Sequence, residues 1–122
     1  MAEPLILAQA DAADLDAVTA LLTDAFAAAR DAVVAERPVV FLLDDRDLLG
    51  QGEVADAAVA TGLLGLMRAL AFEGAKPGWR VNAVAHRDEE GAAREAAAWL
   101  ASSGLSGQLI RVGSDHLGKV LP

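Results

Sequence analysis

Between Leu15 and Val33 apolar residues return at three- and four-residue steps: Leu15, Val18, Leu22, Ala25, Phe26, Ala29 and Val33. Asp16, Thr19, Thr23, Asp24, Arg30 and Asp31 fall on the opposite side. That period belongs to a helix with one apolar face, and it predicts a helix over 14–35 with Asp11 or Asp14 as its cap. The runs on either side are too short for helices. "PLILAQA" predicts a strand over 4–10, and "PVVFLL" a strand over 38–43 that is apolar on both faces, as a covered parallel strand requires. After a polar loop, "DDRDLLGQGE", the pattern predicts a long helix over 54–75. A strand follows over 79–85, then a helix over 90–102 with Gly104 marking its end, and a strand over 107–113. Strands alternating with helices specify an α/β domain. The expected architecture is a truncated Rossmann-like parallel sheet of about four strands with flanking helices and right-handed crossovers. The last residues, "SDHLGKVLP", read as a tail.

The helix over 54–75 departs from the simple amphipathic pattern. At 100° per residue, Ala58, Gly62, Gly65 and Ala69 line one narrow stripe, and Leu63, Leu66, Met67 and Leu70 line another. Thr61 and Arg68 are nearly all that is polar along its central turns. A helix apolar around most of its circumference is normally buried around most of it. A sheet of four strands covers one side, so the small-residue stripe is expected to face another chain. The strand over 4–10 is expected to be an open sheet edge, which also invites a partner.

Composition narrows the options further. Hydrophobic residues make up 54% of 122, yet only 4% are aromatic, so a single domain over 1–122 must build its core from Leu, Val and Ala. The net charge of −8 argues against a nucleic-acid backbone or an anionic membrane as partner. No Cys is present, which excludes disulfides, thiolate metal sites and cysteine nucleophiles. The first residues lack a basic leader, and no apolar run approaches the roughly 18 residues of a membrane helix. A soluble cytoplasmic protein is expected.

Few side chains suggest chemistry. Asp44, Asp45 and Asp47 cluster after a strand end, where α/β sheets hold ligands. A metal or phosphoryl role there would call for a nearby Lys, and Lys76 and Lys119 are misplaced for it, so a solvated acidic loop is expected. His86 and His116 read as surface loop residues, since no nucleophile motif accompanies them. Trp79 and Trp99 read as packing anchors, and Asn82 as a partner for backbone groups beside its strand. In "HRDEEGAARE" the acids sit in a helix's first turn, where the macrodipole favours them.

Two segments carry a family resemblance. "GLLGLMRALAFEGAKPGWRVNAVA" resembles the active-site helix and following strand of short-chain dehydrogenases/reductases of the ketoacyl-reductase type. "AAAWLASSGLSGQLIRVGSD" is similar to that family's Phe-Leu-Ala-Ser segment and its Thr-Gly-x-x-x-x-Val-x-Gly-Gly strand. "ILAQAD" falls where the family has its Asn-Asn-Ala-Gly strand end, and "DLDAVTALLTDAF" where an interface helix begins. The resemblance places the family's catalytic Tyr on Asp56, its Lys on Ala60, its Ser on Asp44 and its Asn on Leu21. The Pro-Gly after the Arg-Val-Asn strand becomes His86-Arg87. A phenol acting as acid and base beside an ammonium is what the reaction uses, and this chain has no Tyr. The chain starts at what would be the family's fourth strand, and no G-x-G-x-x-G follows any strand.

The resemblance therefore implies a catalytically dead half of the fold, with no catalytic, cofactor-binding or metal residues and no NAD(P) site. The expected function is that of a non-catalytic subunit. It would assemble with a full-length catalytic member of the family, or with a second copy, through the helices over 14–35 and 54–75, which form a four-helix interface in that family. An alternative is a stand-alone homodimeric module binding an acyl thioester or another apolar ligand. An independent enzyme using His86 with Asp44 and Asp45 is the third.

Overall fold

The computed structural model describes residues 2–114. All of the expected tail except Ser114 lies outside the described residues, and with it His116 and Lys119. The chain runs β1 (Leu5–Ala8), α1 (Leu15–Val34), β2 (Val39–Asp44), α2 (Asp45–Leu48), α3 (Val54–Glu73), β3 (Val81–His86), α4 (Glu90–Ser102) and β4 (Leu109–Val112). The sheet order follows the chain, β1-β2-β3-β4, and every pairing is parallel. Each crossover thus carries the chain one strand further in the same direction, which leaves β1 and β4 at the edges.

Alternation along β2 divides the core. Val39, Phe41 and Leu43 point to one face, where α1 and α3 cover them with Val33, Ala29, Val59, Leu63, Met67 and Leu70. Val40 and Leu42 point to the other, under Ala93, Ala97 and Leu100 of α4. A strand buried on both faces must be apolar throughout. This accounts for "PVVFLL" and for Val81, Ala83, Val84 and Ala85 of β3, all fully buried.

Local chemistry sets the boundaries. Asp14 is the cap of α1: its side chain accepts from Ala17 N at 2.9 Å. α3 stops at Gly74 because the chain folds back there onto Trp79, leaving no room for a Cβ. β3 begins at Val81, two residues later than the pattern predicts, since Trp79 is half-buried against the core instead of extending the sheet. β4 begins at Leu109 because Gly107 adopts a left-handed φ of 77°, which no strand accommodates. Gly104, with φ 76°, follows the last turn of α4 as the pattern predicts.

Three expectations require correction. The polar segment after β2 is not an open loop: Asp44 accepts from Arg46 N at 2.8 Å and starts the single turn α2. Asp45 and Asp47 on that turn are buried, so these two carboxylates are not solvated, while Asp44 stays partly exposed. α3 is 20 residues long and, by length and composition alone, apolar enough to cross a membrane, where no run of that length was expected. In this fold it lies along β2 and β3 with α1 on its flank, and its most apolar stretch is 28% buried. The physical reason is the near absence of charge between Asp56 and Glu73, Arg68 excepted.

Candidate functional site

The C-terminal ends of the parallel strands bring the chemistry-bearing residues of the sequence to one rim. Gln9 follows β1, Asp44 ends β2, His86 ends β3, and Asp56 lies in the first turn of α3. Gln9 joins most of them. Its Nε2 donates to Asp47 Oδ2 at 2.8 Å, and its Oε1 accepts from Asp44 N at 2.9 Å. Asp56 Oδ1 accepts from Ala12 N at 2.8 Å, which ties the turn after β1 to the start of α3. Gly52 packs over Asp47 Oδ1 so closely that a Cβ there would overlap it. Burial, and then the carboxylates of Asp44, Asp56 and Asp11, push the Asp47 carboxyl above its ordinary range, against the pull of the Gln9 hydrogen bond.

Each group on this rim already has a structural duty. Of the positions that the family resemblance assigns to catalysis, Asp56 holds a backbone N–H and Asp44 caps α2. Ala60 is a buried residue of α3, and Leu21 is half-buried on α1. A carboxylate at position 56 cannot act as a phenol, and a cation at 60 is lacking. A dinucleotide does not fit here either. The backbone donor of the turn after β1, Ala12 N, is taken by Asp56, and the turn itself is Gln9-Ala10-Asp11-Ala12 with no glycine to let a pyrophosphate approach. Asp11, Asp47 and Asp56 add negative charge beside that turn.

The remaining candidates are likewise accounted for. His86 is half-buried at the end of β3, not a surface loop residue, and its Nδ1 accepts from Glu89 N at 3.2 Å. Asn82 is buried and bridges backbone groups: Nδ2 donates to Leu105 O at 2.9 Å, and Oδ1 accepts from Gln108 N at 3.0 Å. Trp79 packs on the core, but Trp99 is 58% exposed on α4 and is not part of the core. Among the described residues no group of three or more His, Asp or Glu is arranged to hold a metal ion.

Sequence reasoning missed Gln9 and Arg111. Arg111 of β4 donates from Nε to Asp45 Oδ1 at 3.0 Å and neutralises a carboxylate that is nearly fully buried. Nothing local announces either residue, because their partners lie far along the chain. Only the sheet order brings residue 111 to residue 45.

A different surface stands out on α1 and α3. Met67, Leu70, Leu63 and Val59 of α3 face the sheet. Gly62 abuts α1, where an added Cβ would come within 2.8 Å of the Leu22 methyls. The opposite side is open: Ala58, Thr61, Gly65, Arg68 and Ala69 are exposed. Val54 and Phe72, at the two ends of the stripe, are each 86% exposed. Leu15, at 77%, and Phe26, at 44%, continue the apolar surface onto α1. The stripe expected from the pattern is thus exposed except at Gly62. Gly65 has open space where its Cβ would be, so nothing within the chain offsets the roughly 1 kcal/mol that a mid-helix glycine costs relative to alanine. Between the N-terminal ends of the two helices lies a cavity of about 590 Å³, lined by Ala12, Ala13, Leu15, Val18, Val54 and Ala58 among others.

No family model matches the sequence, and no curated protein matches it. Among solved structures, the fold is similar to that of a short chain dehydrogenase from Mycobacterium smegmatis. The TM-score is 0.68 at 21% identity, over 92% of this chain and 60% of that one. The likeness establishes the short-chain-dehydrogenase type of α/β fold, and the chain spans about 60% of that protein's length.

Proposed function

We propose that this chain is a non-catalytic subunit, built on the short-chain-dehydrogenase fold, that assembles with a full-length catalytic chain of the same fold. It supports that partner's structure or substrate site. The observation that carries this reading is the exposed apolar stripe of α3, with Val54 and Phe72 projecting into solvent at its ends. Small residues exposed along one side of a helix, with a large apolar side chain open to solvent at each end, fit an interaction surface. The hydrogen-bonded rim, where Asp56, Asp44, Asp47 and Gln9 hold one another and the backbone, supports a role without hydride chemistry. So does the lack of a turn that fits a pyrophosphate. In this reading α1 and α3 dock against the equivalent helices of the catalytic chain, and the pair works in the cytoplasm.

Co-expression with the short-chain reductase encoded nearest to it tests the reading. The two are expected to elute together on gel filtration, and the reductase is expected to lose activity or stability without this chain. Separate elution, with activity indifferent to its presence, overturns the proposal.

A further inference from the structure

The cavity of about 590 Å³ between the N-terminal ends of α1 and α3 has a charge environment of its own. We infer that it is a binding site for a small organic cation with an apolar body, the body filling the cavity and the ammonium group meeting the carboxylate of Glu53. Every group invoked belongs to this chain, so the site goes beyond the proposed subunit role and does not rest on the catalytic partner.

The lining explains why the space exists. Ala12, Ala13, Ala55 and Ala58 contribute methyl groups alone, and side chains that short leave the helix starts apart. Among the larger lining residues Val18 is buried, whereas Leu15 and Val54 stay largely exposed. An apolar body lodged here takes Leu15 and Val54 out of water, which favours binding in proportion to the area covered. The volume lies within the roughly 300–1,000 Å³ of small-molecule sites.

The charge around the cavity has one sign. Residues 1–29 and 48–67, which supply both helix starts, contain no Lys, Arg or His, but they do contain Asp11, Asp14, Asp16, Glu53 and Asp56. Asp14 caps α1 and Asp56 holds Ala12 N, so those two have structural duties. Glu53 has none of that kind: it lines the cavity at the N-cap position of α3 and makes no capping hydrogen bond. The α3 dipole favours an acid there, and among the described residues no cation pairs with it. A metal ion is the wrong occupant, because the walls are apolar and no three acids converge among the described residues. An acyl thioester carried on phosphates is repelled by the same carboxylates. A protein chain lying on the α3 stripe does not account for them either, since from Thr61 to Ala69 the helix carries Arg68 and no acid.

Titration of the purified full chain with hexylamine, a cation at neutral pH, tests the inference through the methyl resonances of Leu15, Val18 and Val54. Saturable shifts, largest at those methyls, are expected, with 1-hexanol binding more weakly and hexanoate more weakly still. Each methylene added to the amine is expected to tighten binding by about two- to fourfold. Glu53→Gln is expected to weaken hexylamine by about two- to fivefold, the worth of an exposed ion pair, and to leave 1-hexanol unchanged. Glu53→Lys is expected to reverse the order of hexylamine and hexanoate. Ala58→Phe, which fills the cavity from an exposed position, is expected to abolish binding of all three with helical circular dichroism unchanged. Glu95→Gln, the same loss of charge on α4, is expected to change nothing. No saturable shift with hexylamine, whether the cavity stays empty or is taken by a second copy, overturns the inference. So does hexylamine binding that Glu53→Gln and Ala58→Phe leave untouched. Either result leaves the proposed subunit role standing, since no catalytic chain takes part in the titration.

Discussion

Asp56 holds the N–H of Ala12 at 2.8 Å, and that hydrogen bond is the clearest sign of what the rim of the sheet does. A half-buried backbone donor without its acceptor costs about 1–2 kcal/mol. Asp56→Ala is therefore expected to lower unfolding stability by that amount in urea titration, and a neutral effect would show that water replaces the carboxylate. Asp47 gives a pH signature. Its carboxyl is raised above the ordinary value of 3.8, first by burial. A raised acid is easier to protonate folded than unfolded, so its contribution is most favourable below the ordinary value. That contribution is lost as pH rises through the raised folded value. Asp47→Asn stays neutral, so its stability should gain on the wild type as pH rises through that window, and the gap should level off above it. Paired urea titrations from acid to neutral pH check this. A stability difference that does not vary with pH would remove burial as the controlling cause.

At the scale of elements, the clearest test is the turn after α3. A Cβ at Gly74 would sit 2.8 Å from Trp79 ring atoms, with no flexible neighbour to give way. Gly74→Ala is expected to destabilise by about 1–3 kcal/mol, the usual cost of overpacking, read as a fall in urea midpoint at constant slope. The alternation of strands and helices was legible because β2 and β3 are buried on both faces and α1 has a true apolar stripe. The pattern was less informative where long-range contacts decide. α2 forms because Asp44 caps it. Its acidic residues are buried because Gln9 and Arg111, 35 or more residues away in sequence, reach across the rim to Asp47 and Asp45. Periodicity carries no record of such pairs. Trp99 was misjudged for a related reason: a large aromatic suggests burial, but on α4 the sheet is covered by Ala93, Ala97 and Leu100, and Trp99 points away. The small-residue stripe on α3 was legible because helical geometry alone separates it from the Leu and Met side.

For the whole molecule, the sheet covers one side of α3 and α1 covers its flank, while the rest of α3 stays apolar and open. β1 is likewise a sheet edge of four residues, short enough to limit edge-to-edge pairing. Charge acts against self-association: two copies each carrying −8 repel at long range. Screening is nearly complete beyond about 10 Å at 0.1 M salt, so an interface of this kind should tighten as ionic strength rises. Sedimentation at low and high salt is expected to give the larger dimer fraction at high salt. A dimer that dissolves on adding salt would point to charge pairing as the main attraction, not the apolar stripe.

The central claim is that the open face of α1 and α3 is covered by another chain when the protein works. The native mass of the protein, taken alone and again with the catalytic chain present, tests it most directly. The account predicts species heavier than 12.6 kDa in both cases. A solitary 12.6-kDa monomer in both would contradict it.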